Sequence, residues 1–319
     1  MKRFWHVREL STIAILVLEI IFFGWYLWPD GNRPHPFLNF ENALLILKYS
    51  SIYGIAAVGA AVIIISGGID LAPGSIIALA SVVCGALFVD AGWGLGASLA
   101  VSLLVGLGAG GLSALLIVAV KLPPFIATLG VMGITRGLAF IITEGQYFDL
   151  SSQLPGGWRP LGLPADWVAP MVMIGLAIVF QVLMTRFQWG RQIFSIGGNE
   201  TAALFSGVAV GRIKASVYLL GGLLAAIAGV VLALVQGQGK ADLATGYELD
   251  IIASAVVGGA SLSGGRGSVM GAVLGTLIFG VLRNALPQIP GATFYDRLIV
   301  GLAVIIIVVM DQVLLKRGE

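Results

Sequence analysis

The sequence predicts an all-α, polytopic transmembrane bundle of about ten helices, read as one domain over residues 1–319, and three observations carry that expectation. Hydrophobic residues make up 58% of the chain and charged residues 11%, with a mean hydropathy of +0.99. A soluble domain has too little interior to hide that much apolar surface. Charge-free runs long enough to cross a hydrocarbon core separate the ionisable residues, as between Tyr49 and Ile69 or between Ala215 and Gly239. Glycine totals 45 and concentrates within those runs, where small residues let helix backbones approach each other in lipid.

The spans follow in order. Residues 11–28 come after a basic N-terminus, and their run is too long, and lacks a small-residue cleavage site, for a signal peptide. This is a retained first span, with Glu19 as its anomaly. Residues 44–65, 75–89, 95–120, 168–185, 215–235, 268–286 and 298–315 are further apolar runs. Residues 129–143 and 249–259 are shorter and read as half-helices or re-entrant segments. With ten spans, Lys2, Arg3 and Arg8, the group Arg186, Arg191, Arg212 and Lys214, and the terminal Lys316 and Arg317 all fall on one side. The positive-inside rule makes that side, and both termini, cytoplasmic in a bacterial inner membrane.

Composition and motif content narrow the chemistry. A net charge of +2 gives no electrostatic footprint for nucleic acid. His6 and His35 lie on opposite sides of the first span and Cys84 has no second cysteine, so the sequence offers no metal cluster and no nucleophilic centre. No phosphate-binding loop of the Walker type occurs, so ATP and magnesium belong on another polypeptide, this chain binds no cofactor, and it is not an enzyme.

Four stretches stand apart from the apolar pattern. In the first, Ser66-Gly67-Gly68-Ile-Asp70-Leu-Ala-Pro-Gly74-Ser75, glycine and proline break a helix between two long apolar runs. An open backbone at membrane depth is tolerated only where protein or a water-filled cavity surrounds it. Asp70 can cap the following helix, pair with a cation such as Arg266, or face a solute path. In the second, Pro123 and Pro124 force an extended approach to a helix in which Thr128 can bond freed backbone and Arg136 must face protein or water. The third is the loop from Trp189 to Gly211, where Asn199 can cap a short helix whose small face, Ala202, Ala203 and Ser206, ends at Gly207. That helix is either a docking knob or an ordinary surface helix. In the fourth, Glu248 and Asp250 can act as carboxylates at a helix N-terminus, ahead of Gly258, Gly259, Gly264, Gly265 and Arg266. The glycines of the first and fourth stretches echo one another, and duplicated broken helices are a transporter feature.

These four motifs, in order and at the expected spacing over nearly the whole chain, resemble the ribose-type sugar ABC transporter permeases, whose members serve ribose, xylose, arabinose, galactose, rhamnose and autoinducer-2. The resemblance implies a permease subunit, paired with itself or a paralogue, that docks cytoplasmic ATPase subunits and receives solute from a periplasmic or extracellular binding protein. It also implies a coupling role for Gly197–Gly207, with Gly197, Asn199, Glu200, Ala202, Ala203, Ser206 and Gly207 as contact residues. Ala72-Pro73 and Gly198 depart from the usual family residues, which puts solute identity in doubt and leaves the class intact. The expected mechanism is alternating access, with Ser66, Asp70, Thr128 and Gln236 as candidate path-lining residues. The rival reading is an ion-coupled secondary transporter, which would need more intramembrane carboxylates than Glu19.

Overall fold

The computed structural model describes residues 2–28, 35–154 and 159–295, with further positions at 298, 299, 301, 302 and 305. Eleven α-helices are described: α1 (Lys2–Tyr26), α2 (Phe40–Ile65), α3 (Pro73–Gly85), α4 (Leu95–Val118), α5 (Pro124–Thr143), α6 (Ala165–Arg186), α7 (Gln188–Gly198), α8 (Glu200–Phe205), α9 (Val210–Gln236), α10 (Tyr247–Val257) and α11 (Val269–Ala285). Eight of the described helices are long and apolar enough to cross a membrane: α1 to α6, α9 and α11, with α3 and α11 counted together with the helical turns that continue them to Asp90 and Gln288. The chain is a multi-pass helical membrane protein. Apart from the few positions named above, the expected span 298–315 lies outside the described residues, as do Lys316 and Arg317.

One of the two expected half-helices is corrected. Helix α5 begins at Pro124, with Pro123 extended before it, and runs a full 20 residues to Thr143. Proline fits the first helical turn because its missing N–H would have no partner there, so the prolines start this span rather than shorten it. The other expectation holds, since α10 is only 11 residues long. Helix α3 is lengthened by a π-helical turn, Ala86–Asp90.

Helix α9 is the axis of the bundle and packs against α4, α3 and α2, while α2 also carries α11, α6 and α10. Most of α2 and α9 is buried, whereas α1, α5 and α6 present apolar side chains outward, including Leu18, Ile141 and Ile178. Close helix approach is selective among the glycines. A Cβ added at Gly222 of α9 would lie 2.8 Å from Gly110 Cα of α4, and one at Gly110 would lie 3.1 Å from Leu219 Cα, whereas Gly108 has open space beside it. Only the glycines on the contact face let the two backbones meet.

Two short strands, unforeseen in the sequence, pair antiparallel: β1 (Tyr147–Asp149) with β2 (Gln238–Lys240), Tyr147 opposite Lys240 and Asp149 opposite Gln238. They tie the segment after α5 to the segment after α9.

Candidate functional site

The break between α2 and α3 is closed on itself. Ser66 caps α2 while Gly67, at φ 82°, takes the left-handed turn that only glycine adopts without strain. Ser66 donates its hydroxyl to the Ile63 carbonyl at 2.6 Å. Asp70 Oδ1 accepts from the Ala72 amide at 2.8 Å, just ahead of Pro73 at the start of α3. Thr128 of α5 accepts from the Leu71 amide at 3.2 Å and donates to the Pro124 carbonyl at 2.9 Å. Two further hydroxyls, of Thr135 and Ser75, join 2.6 Å apart and fasten α5 to α3. The freed Leu71 and Ala72 amides are thus satisfied by side chains from α5 and from the break itself, as a bundle interior requires.

Of the four candidate path-lining residues, Ser66, Asp70 and Thr128 come together here and all are buried. Gln236, the last residue of α9, is exposed and stands apart, about 27 Å along that helix from Tyr218, whose ring end lies against Gly68 of the break. The pairing of Asp70 with Arg266 does not form. Asp70 instead neighbours Gly221 of α9, 3.9 Å from where a Cβ would stand.

Beside this break, three glycine pairs distant in sequence converge: Gly67-Gly68, Gly197-Gly198 and Gly264-Gly265. The Gly265 amide donates to the Ile65 carbonyl at 2.8 Å. A Cβ at Gly197 would collide with that same carbonyl and with Gly265 N, and one at Gly264 would lie 2.6 Å from the Gly197 carbonyl oxygen and 3.0 Å from Gly67 Cα. Gly258 is held equally tightly against the Gly271 carbonyl, where α10 meets α11. The echoing glycine turns of the first and fourth stretches, the latter between α10 and α11, are thus in direct contact, and the third stretch enters the same junction.

From this junction the chain runs into α8. Helix α7 buries Gly190, Ile193 and Ile196 along one face, and Trp189 Nε1 donates to Ser216 Oγ at 2.8 Å, which pins α7 to the start of α9. Asn199 ends α7 and caps α8, its side chain accepting from the Ala202 amide at 2.9 Å. Glu200 pairs with Lys214 at 2.6 Å, Ser206 donates back to the Ala202 carbonyl at 2.8 Å, and Gly207 turns the chain at φ 84°. The small residues do not form one outward face. Ala203 is 1% exposed and packs with Ile196 and Val210, whereas Leu204 and Phe205 are 58% and 86% exposed. Six residues of helix thus hold a phenyl ring in the open, where the small residues alone predict a flat face.

The second break, between α9 and α10, is organised differently. Gly237 ends α9 in the left-handed region, β2 follows, and Gly246 at φ 87° leads into α10. Residues 241–246 have little regular structure, and Arg136 of α5 reaches across to donate to the Ala241 and Leu243 carbonyls at 2.6 and 2.8 Å. Its guanidinium stands in for the missing helical N–H groups. Glu248 and Asp250 occupy the first turn of α10 without capping it. Asp250, 3% exposed, pairs with Arg283 of α11 at 2.7 Å, and Gly74 leaves room for Glu248, whose Oε2 would lie 2.5 Å from a Cβ there. Among the described residues no group of His, Cys, Asp or Glu can hold a metal ion.

Residues 42–309 match the family described as the branched-chain amino acid transport system permease component. The chain is 38% identical to the ribose import permease protein of Bacillus subtilis (strain 168), covering 86% of both chains. It is 35% identical to the ribose import permease protein of Escherichia coli (strain K12), covering 97% of this chain and 94% of the relative. With the xylose transport system permease protein of Escherichia coli (strain K12) it shares 31% identity over 98% of this chain and 94% of the relative. No solved structure is matched. A bundle of apolar spans with two internal breaks, in a chain similar over its length to sugar permeases, belongs to the branched-chain amino acid transport system permease component family.

Proposed function

We propose that this chain is the membrane-spanning permease subunit of an ATP-driven importer for a monosaccharide or a similar small polyol. One observation carries the reading: 35% identity to a ribose import permease over 318 residues, spanning nearly all of both chains. The geometry supports it. In this reading residues 1–319 form one permease domain, and it works with a second copy or a paralogue, cytoplasmic ATPase subunits and a secreted solute-binding protein. The end of the bundle that carries Arg186, Arg191, Arg212 and Lys214 also carries the start of α1, where Glu9 accepts from the Ser268 hydroxyl at 2.6 Å. Basic residues gathered at one end favour a cytoplasmic orientation for it in the bacterial inner membrane. Helix α8 then lies on the ATPase side, with Phe205 and Leu204 as the apolar knob and Asn199, Glu200, Ala202, Ser206 and Gly207 around it, while Gly197 and the buried Ala203 seat it. The glycine junction behind α8 offers a rigid connection from that knob to the first break and to the turn between α10 and α11.

The test is reconstitution of the chain with its ATPase and binding protein in vesicles. ATP-dependent accumulation of a pentose is the expected result, and uptake driven by an ion gradient without ATP overturns the reading. Phe205→Asp should abolish co-purification of the ATPase while leaving insertion and thermal stability within about 0.5 kcal/mol, since the side chain touches little of its own chain.

A further inference from the structure

Where the first break meets α9, one buried polar group has no partner. Tyr218 of α9 is 1% exposed, and among the described residues its hydroxyl has no hydrogen-bond partner. Burying a hydroxyl in this way loses its hydration with nothing in return, so such an orphan calls for an explanation. The break itself makes room for it. A Cβ at Gly68 would stand 2.3 Å from the Tyr218 oxygen and 3.2 Å from Cζ. Gly67 is required by its φ of 82°, but Gly68 does not take the left-handed conformation, so its missing side chain serves Tyr218 rather than the turn.

An acceptor stands further along the same strip of α9. Asp70 is 4% exposed and forms no ion pair among the described residues. Its Oδ1 holds the Ala72 amide at 2.8 Å, while Oδ2 lies 3.9 Å from where a Cβ of Gly221 would stand. Tyr218 and Gly221 are three residues apart, hence on one face of α9 and about 4.5 Å apart along its axis. A buried carboxyl without a cation and a buried hydroxyl without an acceptor thus face one helix out of register. A shift of the break along α9 toward Tyr218 brings them together, and sliding or one-turn ratcheting of packed elements is an established form of switching.

The break is also placed to be moved. Gly197, at the end of α7, packs on the Ile65 carbonyl, the Gly265 amide bonds that same carbonyl at 2.8 Å, and α8 begins at Glu200. A displacement of α8 therefore reaches Gly67 and Gly68 through backbone contacts.

We propose that Tyr218 and Asp70 form a conformational latch, in which the Tyr218 hydroxyl donates to the Asp70 carboxyl in the alternate state of the permease and is released in the conformation described above. This rests on the permease reading and on α8 as the ATPase contact. The hydroxyl adds no bond to the present conformation, and the bond that it makes in the other helps to offset the cost of displacing the glycine junction. Tyr218 is a positioning residue: it biases the equilibrium between the two states and touches neither solute nor ATP.

The experiment uses this chain with its ATPase and binding protein in vesicles and compares Tyr218→Phe, Asp70→Asn and the double variant with the unsubstituted transporter. Tyr218→Phe should melt no lower than the unsubstituted chain, because no bond is lost in this state, and should still co-purify the ATPase. Its ATP-driven ribose uptake should fall at least about fivefold. Asparagine keeps an oxygen for the Ala72 amide, so Asp70→Asn should keep the fold and lose uptake as well. The double variant should transport no more slowly than Tyr218→Phe alone, since both changes remove one bond. Uptake by Tyr218→Phe within about twofold of the unsubstituted rate overturns the latch. So does a thermal midpoint lowered by more than about 3 °C, which means that the hydroxyl is bonded in this state, and so do losses that multiply in the double variant. If the unsubstituted transporter accumulates no ribose with ATP, the permease reading fails and the latch with it.

Discussion

The two breaks in the helical ladder solve one physical problem in opposite ways. After α2, the polar side chains turn inward: Ser66, Asp70 and Thr128 are buried and bonded, and glycine backbones from two other segments close over the gap. After α9, the gap is held by one long side chain, Arg136, and by a short strand pair, while Lys240, Asp242 and Thr245 remain exposed. A closed break is a structural joint and an open one needs water beside it. The difference lies in what covers the backbone, because both segments carry glycines and an aspartate.

If the first break is a packed joint, Gly197→Val should have the largest effect, because added carbons meet the Ile65 carbonyl and Gly265 N with no flexible side chain to yield. A loss of about 3 kcal/mol or more is expected, read as a collapse in monodisperse yield and thermal midpoint in detergent. Gly133→Ala, into open space, should leave both unchanged. Next, Arg283→Met should cost about 3 kcal/mol by leaving the buried Asp250 carboxylate without this ion pair, and Asp250→Asn in the same chain should recover much of the loss. Recovery is measured as the coupling in a double-mutant cycle.

Arg136→Leu tests the second break. It removes the donor to two carbonyls, but the segment is partly exposed and water can replace one bond. A loss of about 2 kcal/mol is expected in heat denaturation, with faster hydrogen exchange confined to residues 241–248. Thr128→Val should be milder, about 1 kcal/mol, since it orphans the Leu71 amide alone. A larger loss from Arg136→Leu than from Gly197→Val would mean that the second break is the more tightly built of the two.

Much of this could be read from residue order. The spans at 44–65, 95–120 and 215–235 each lie within or beside an observed helix, because a long apolar run in lipid has only helical ways to satisfy its backbone. Asn199 as a cap, Thr128 as a partner for freed backbone and the prolines before α5 were legible because each acts within a few residues or has only one kind of work at that depth. The length of α5 was underestimated because a proline pair was read as delaying a helix that it in fact begins. Ala203 was assigned to an outward face although it is buried, since six residues give too few turns for periodicity to fix a face.

The sequence by itself determined that this chain is a membrane bundle, that the ladder breaks at Ser66-Gly67-Gly68, and which permeases it resembles, since hydropathy, glycine, proline and motif spacing act locally. Only the tertiary structure decided that the three glycine pairs meet, that Arg136 serves carbonyls about a hundred residues away, and that the segment between α9 and α10 leaves Lys240 and Asp242 exposed. Those outcomes depend on which helix lies beside which, and between helices in lipid that choice is set by close backbone contact rather than by any pattern along one segment.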